Sequence, residues 1–202
     1  MITVHALLDN NWRIPVAYGL LPGKSKALYT NLFEQLDDIA DLQPGSVLMD
    51  YEDALRRAVV SIWPSTSIRG CYFHFKQALW RRFQQSDLVP EYEVPGSDVR
   101  TAFRLVGALP FVPLDDLDLA WRLLKPTLPT DMTEFASYFE HTWMGTSSTP
   151  PIFDTWSWNQ HDTVLAGLPR SSNLAEGWHN GFKSLVKCTK PTVWKFMECL
   201  KL

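Results

Sequence analysis

Along residues 1–85, the hydrophobic and polar positions switch between strand-like and helix-like patterns. Short apolar runs predict strands, and apolar positions spaced three and four residues apart predict helices. The predicted strands are at about residues 2–8, 13–20, 47–49 and 68–74, and the predicted helices at about residues 25–40, 51–62 and 75–85. The polar turn DNNW between the first two strands predicts a hairpin. The order β-β-α-β-α-β-α predicts an α/β fold with a mixed sheet flanked by helices.

A different pattern follows, because residues 98–144 contain three helical patches separated by prolines and no strand-like run. We interpret this segment as an all-helical insertion. The predicted domains are therefore residues 1–97 as a first part of an α/β core, 98–145 as the insertion, and 146–202 as a second part of the core. That second part ends in helices at about residues 173–187 and 192–201.

Composition and charge restrict the class of protein. The chain of 202 residues is 46% hydrophobic and has a net charge of -3. The chain as a whole therefore has no basic field that would indicate nucleic-acid binding. Its three cysteines, Cys71, Cys188 and Cys199, are widely spaced and argue against a disulfide scaffold. The chain has neither a long apolar run nor a signal-peptide pattern, which predicts a soluble intracellular protein without a membrane partner.

One stretch, GLLPGKSK at residues 19–26, is similar to a phosphate-binding loop. That motif needs four residues between its glycines so that backbone amides can surround a phosphate. Only three residues separate Gly19 from Gly23, and one of them, Pro22, has no amide hydrogen. We therefore predict a turn before a helix, and no nucleotide cofactor.

Two acidic residues are candidates for a functional site. Asp50 follows the predicted strand 47–49, and in open α/β sheets functional side chains gather where strands end. Its carboxylate suits a divalent cation, and the alternative is a cap for a helix starting at Tyr51. Glu176 lies on the polar face of the predicted helix 173–187. The alternative for Glu176 is a capping box with Asn173.

Cys71 and His74 form a Cys-x-x-His motif. A structural zinc site requires a second pair of ligands, which this motif lacks. If the predicted strand continues through His74, the two side chains also point to opposite faces of the sheet. This weighs against zinc and favours a packed thiol beside a hydrogen-bonded imidazole. A metal site formed by Cys71 and His74 would require the chain to turn at Tyr72 or Phe73.

Three segments together resemble the transposase domain of Mutator-like elements (MULE): TVHALLDNNWRIPVAYGLLPGKSKALYTNLFEQL, MDYEDALRRAVVSIWPSTSIRGCYFHFKQALWRRF and PRSSNLAEGWHNGFKSLV. The resemblance implies an RNase H-like fold in which two aspartates and a glutamate form a DDE triad. Asp50 matches the second aspartate and Glu176 the glutamate, while Cys71 and His74 match a Cys-x-x-His near the catalytic core. It also implies Mg²⁺ or Mn²⁺ as the cofactor, held by Asp50 and Glu176.

By the same resemblance, the reaction would be DNA cleavage and strand transfer at transposon ends, in the nucleus, with a homo-oligomer as one expected assembly. The first aspartate of the family lies on a strand that would precede residue 2, and Asp9 in the hairpin turn is no substitute. We therefore expect a truncated domain with its first strand missing, whose status as an enzyme is uncertain. The alternatives are a non-catalytic domesticated or remnant protein with a DNA- or protein-binding surface, and an unrelated α/β scaffold.

Two structural expectations follow. The carboxylates of Asp50 and Glu176 should lie on the order of 4 to 8 Å apart if they share metal ions. In the helical segment, Trp121 and Trp143 either expose a ring for stacking on an unpaired base or anchor the core, and we favour the core.

Overall fold

The structure of the protein is a computed structural model that describes residues 1–8, 12–187 and 192–200. The strands are β1 (Ile2–Leu7), β2 (Arg13–Gly19), β3 (Ser46–Met49) and β4 (Ser67–Gly70). The helices are α1 (Lys26–Ala40), α2 (Asp53–Ile62), α3 (Tyr72–Phe83), α4 (Val89–Glu93), α5 (Asp98–Val106), α6 (Leu117–Leu124), α7 (Thr133–Phe139), α8 (Thr155–Trp158), α9 (His161–Leu165), α10 (Asn173–Val186) and α11 (Val193–Leu200). The chain divides into two compact units, one of Met1–Leu20 with Ser172–Leu202 and one of Leu21–Ser171.

The unit formed by the two ends of the chain contains the predicted hairpin. Strands β1 and β2 pair antiparallel, with a register shift between Val4 and His5. Trp178 of α10 lies against the hairpin, with its ring 5.7 Å from that of His5 and 5.3 Å from that of Tyr18. Helices α10 and α11 share a small apolar cluster that includes Phe182. The alternating pattern of residues 2–20 therefore predicted this hairpin correctly.

In the larger unit, β3 and β4 pair in parallel, and α1 packs against α2. The mixed α/β class is confirmed, and 58% of the structure is helical. The strands do not form one mixed sheet, however. Among the described residues, β1 pairs with β2 and β3 with β4 in two separate two-stranded sheets. The prediction of a single sheet was wrong because the hairpin belongs to a different compact unit from β3 and β4.

The predicted strand at residues 68–74 is shorter than expected. It ends at Gly70, Cys71 is the N-cap, and α3 begins at Tyr72. The Cys71 N–H donates to the Met49 carbonyl (2.9 Å), and the Cys71 carbonyl accepts from the Phe75 N–H (3.0 Å). The buried stripe of α3, which runs through Phe75, Leu79 and Phe83, extends back one turn to Cys71. The helical period therefore starts where the sequence was interpreted as strand.

Residues 98–144 are helical, as predicted, and their helices belong to the same compact unit as α1 to α3. They enclose an apolar core with α3, in which Trp121 is 3% exposed and Trp143 0%. The Trp121 indole donates to Glu140 Oε1 (3.2 Å), which satisfies its N–H inside the protein. Both residues are core anchors, as we favoured, and the stacking alternative is wrong. None of the helices in the described ranges combines the length and the apolarity that crossing a bilayer requires.

Candidate functional site

Asp50 lies directly after β3, at the carboxyl end of the parallel pair of strands. Helix α2 begins at Asp53 with Glu52 as its N-cap, so Asp50 does not cap this helix and that alternative is wrong. About half of the Asp50 side chain (52%) is exposed. The sequence therefore placed this carboxylate correctly at a strand end, where it is open to solvent.

The residue after Asp50 fixes the direction of the chain. The Tyr51 ring packs edge-on against Trp143 (5.0 Å between ring centres) and Phe153 (5.1 Å). Burial raises the pKa of the Tyr51 hydroxyl well above its ordinary value, so the phenol is neutral. Because successive side chains of an extended chain alternate in direction, anchoring Tyr51 in the core turns Asp50 outward.

His74 holds Asp50 in place. Its Nδ1 lies 2.8 Å from Asp50 Oδ1, and a quarter of its side chain is exposed. Hydrogen bonds to Asp50 and then to Cys71 raise the pKa of His74 to about 10, although burial opposes the shift. At neutral pH His74 is therefore an imidazolium that forms an ion pair with the carboxylate.

Cys71 completes a cluster with these two residues. Its thiol is fully buried at the N-cap of α3, one turn before His74. Because the chain turns at Cys71, the two side chains do not alternate across a strand, and the objection drawn from the predicted strand no longer holds. One potential ligand atom from each of Asp50, Cys71 and His74 lies within 4.8 Å of the other two.

Asp50 and His74 open into a cleft of about 360 Å³. His74, Gln77, Ala78 and Arg81 of α3 line one wall, at the spacing of one helix face. The other lining residues are Tyr51, Glu52, Tyr138, Thr142, Trp143 and Phe153. Arg81 is exposed, so the cleft carries a cationic group about two helical turns from the Asp50–His74 pair.

The acidic residues that follow Asp50 make structural contacts. Glu52 Oε1 accepts from the Tyr29 hydroxyl (2.6 Å), and Glu52 Oε2 accepts from Lys24 Nζ (2.9 Å). Hydrogen bonding to Arg57 lowers the pKa of Asp53 below its ordinary value. Glu52 also lines the cleft, but both of its carboxylate oxygens are engaged by Tyr29 and Lys24.

Glu176 lies in α10, in the unit formed by the chain ends, whereas Asp50 lies in the other unit. Its side chain is outside the described residues. The expected distance between the Asp50 and Glu176 carboxylates therefore stays a prediction, and so does the capping-box alternative for Glu176.

Sequence reasoning missed Gln160. This side chain is fully buried, and its Nε2 donates to the Gly70 carbonyl (2.9 Å) just before Cys71. It lies in the loop between α8 and α9, where no periodic pattern distinguishes it. A buried amide in a loop gives no sequence signal, because its partner lies far away along the chain.

The first part of the chain matches a known family. Residues 1–78 match the MULE transposase domain, and the resemblance found in the sequence is confirmed over that range. Asp50, Cys71 and His74 all lie within it, whereas Glu176 does not. Comparisons with curated proteins and with solved structures found no match, so the RNase H-like fold stays a prediction.

Proposed function

We propose that the chain is a transposase-derived domain of Mutator type, whose ancestral reaction is metal-dependent DNA cleavage and strand transfer. The observation that carries the proposal is the placement of Asp50 within the matched residues 1–78. Its carboxylate follows a parallel strand, is half exposed and faces a cleft that Arg81 also lines. This placement is the one expected of the family's second aspartate.

The proposed cofactor is Mg²⁺ or Mn²⁺, held by Asp50 and Glu176. The exposed carboxylate of Asp50 fits such an ion, because Mg²⁺ in phosphoryl-transfer sites takes one or two carboxylates and completes its shell with water and phosphate oxygens. When bound, the ion would activate a water or a DNA 3′-hydroxyl and stabilise the leaving oxygen.

The remaining residues of the cleft would position DNA. The exposed guanidinium of Arg81 offers a bidentate donor to a backbone phosphate, and Gln77 lies between it and His74 on the same helix face. His74 orients the Asp50 carboxylate through their 2.8 Å contact. Nuclear localisation follows from the DNA substrate and is part of this proposal.

A non-catalytic remnant that keeps a DNA-binding surface is the second candidate, and one contact favours it. The His74 imidazolium already neutralises the Asp50 carboxylate, which lowers its attraction for a hard cation. The net charge of -3 also weakens attraction to a duplex. We therefore predict no cleavage by this polypeptide.

The test measures binding and cleavage separately, with purified protein and duplexes that carry Mutator-type element ends. We expect the protein to bind these duplexes with an affinity that falls as the salt concentration rises. Arg81→Ala should lower that affinity severalfold. An Arg122→Ala variant is the matched control, because Arg122 is exposed and pairs with Asp118 outside the cleft. The proposal would be contradicted if the protein did not bind DNA at low salt, or if Arg81→Ala and Arg122→Ala lowered the affinity for DNA equally.

Nicking and strand transfer are then assayed with Mg²⁺ and with Mn²⁺. We expect no product above that of the Asp50→Asn, Glu176→Gln double variant. Metal-dependent cleavage by the native chain alone would show an active enzyme and overturn the prediction of inactivity.

A further inference from the structure

We infer that Asp50, Cys71 and His74 form a binding site for one zinc-class transition-metal ion. Three different donor types meet at one place, with a ligand atom of each within 4.8 Å of the others. All three residues lie in the same compact unit, which contains Leu21–Ser171. The proposal therefore needs no contribution from Glu176 or from the rest of the unit formed by the chain ends.

The donor set selects the class of metal. A thiolate and a neutral imidazole favour Zn²⁺, Co²⁺ and related ions, whereas Mg²⁺ prefers oxygen ligands. Binding therefore displaces the thiol proton of Cys71 and one ring proton of the His74 imidazolium into solvent. Three protein ligands leave the fourth tetrahedral position to water or to another ligand, which is the arrangement of open zinc sites. The sequence analysis raised the absence of a second Cys/His pair as an objection to zinc. That objection does not apply to an open site, in which Asp50 is the third ligand.

The geometry requires only a small adjustment. Zinc bonds of about 2.0–2.3 Å place tetrahedral ligand atoms roughly 3.3–3.8 Å apart. The present separations, 2.8 Å between Asp50 Oδ1 and His74 Nδ1 and at most 4.8 Å elsewhere, bracket that range. Asp50 and His74 are partly exposed and border the cleft, so their side chains have room to move around an incoming ion.

Cys71 is the fixed member of the site. The backbone of this residue closes the β3–β4 pairing and opens α3, through hydrogen bonds to Met49 and from Phe75. Its thiol is 0% exposed, so an ion reaches it only from the side where Asp50 and His74 face the cleft. A fixed thiolate with two adjustable ligands is well suited to binding an ion without rearrangement of the backbone.

The site shares Asp50 with the proposed DNA chemistry. An ion held by Cys71 and His74 would occupy the carboxylate that the Mg²⁺ or Mn²⁺ proposal requires, so the two metals compete. This consequence rests on the proposed function, but the binding itself does not.

Cobalt is the probe, because a thiolate bound to Co²⁺ gives a charge-transfer band in the near ultraviolet and tetrahedral Co²⁺ gives visible bands. The reduced full chain is titrated with Co²⁺ under anaerobic conditions. We expect one ion per chain with both sets of bands, displacement by equimolar Zn²⁺, and no displacement by a large excess of Mg²⁺. The Cys71→Ser variant should lose the charge-transfer band, and Asp50→Asn and His74→Gln should each weaken binding at least tenfold.

The other two cysteines supply matched controls. Cys199→Ser and Cys188→Ser should keep the full spectrum, and Cys199 is buried like Cys71. Asp50→Asn and His74→Gln alter partly exposed side chains, so they report on the site even if Cys71→Ser does not fold. Absence of a charge-transfer band at saturating Co²⁺, its persistence in a folded Cys71→Ser variant, or unchanged affinity in the other two variants would overturn the proposal. Failure of the DNA assays would leave these spectra unaffected, so the two proposals are tested separately.

Discussion

At the scale of single residues, Gln160 joins the strand that leads to the site with the helical part of the larger unit. Its buried Nε2 donates to the Gly70 carbonyl, and its backbone N–H donates to the Pro110 carbonyl (2.6 Å). Gly70 is itself tightly enclosed, because a Cβ added there would clash with the Tyr51 ring. The position of Cys71 therefore depends on contacts made by a loop residue far along the chain.

We expect Gln160→Ala to lower the free energy of unfolding by about 1–3 kcal/mol, because the Gly70 carbonyl loses its buried partner. The measurement is urea denaturation followed by circular dichroism. Gln43→Ala, at an exposed position, is the control and should change stability by about 0.5 kcal/mol or less. Equal effects in the two variants would show that the Gln160 contact contributes little.

The position of Asp50 at the end of a strand was predicted correctly, whereas the position of Cys71 at the start of a helix was not. The difference has a physical reason. A carboxylate after a short apolar run is informative, since functional side chains in open α/β sheets gather where strands end. The motif at Cys71 depends on where a strand stops and a helix starts, and the residues from Ser67 to Phe75 suit both. The hydrogen bond from the Phe75 N–H to the Cys71 carbonyl, which starts the helix at this point, decides between them.

At the scale of elements, the parallel pair of β3 and β4 is unusually small. Parallel strands commonly lie in larger sheets covered on both faces, but among the described residues β3 has only β4 as a neighbour. The hydrogen bonds from Ser67 N–H to Gly45 and from Cys71 N–H to Met49 set the pattern of the pair. Because the backbone N–H groups of successive residues in a strand point to opposite edges, the Val47 and Met49 amides face β4 and the Leu48 amide faces the outer edge.

We therefore expect the Leu48 amide to exchange with deuterium roughly tenfold or more faster than the amides of Val47 and Met49. Hydrogen exchange followed by NMR, or by mass spectrometry with fragmentation to single residues, measures this difference. The two neighbours serve as internal controls, since they lie in the same strand and Val47 is half-buried like Leu48. Equal protection of all three amides would mean that another segment covers the edge.

Element order was the most predictable level of the structure. The order β-β-α-β-α-β-α follows from the spacing of the apolar residues and from the positions of the turn residues. Every one of these elements is present in the structure. The pairing of strands was not predictable in the same way, because it depends on which compact unit each strand joins. Residues 98–144 were correctly assigned as helical, since Pro110 and Pro126 interrupt the pattern without creating strands, and each lies in a 3₁₀ turn.

At the scale of the molecule, most of the buried aromatic side chains in the described residues belong to one core of the larger unit. Trp158 is fully buried there, its ring stacks on Phe75 (5.3 Å), and its indole N–H donates to the Trp143 carbonyl (3.0 Å). Phe75 follows His74 in α3, so this core supports the helix that carries the candidate site. Stability of the unit and geometry of the site are therefore linked through α3.

Trp158→Ala should lower the free energy of unfolding by about 3–5 kcal/mol, the usual cost of removing a large aromatic side chain from a core. Trp156→Ala is a matched control on the same short helix, because Trp156 is 47% exposed, and it should lower the free energy of unfolding by clearly less, about 1–2 kcal/mol. Denaturation is followed at two wavelengths, since two compact units need not unfold in one step. Similar losses in both variants would contradict the assignment of the core.

The three ligands of the cluster lie within residues 50–74, in consecutive β-α-β-α elements. Glu176, by contrast, is encoded far downstream. A genomic rearrangement or an altered splice that removed only the reading frame after Ser171 would thus eliminate the glutamate while keeping Asp50, Cys71, His74 and the core that supports them. Among the descendants of such a gene, we expect the proposed metal binding to outlast DNA cleavage, because the metal ligands and their supporting core lie in one compact unit, whereas Asp50 and Glu176 lie in two.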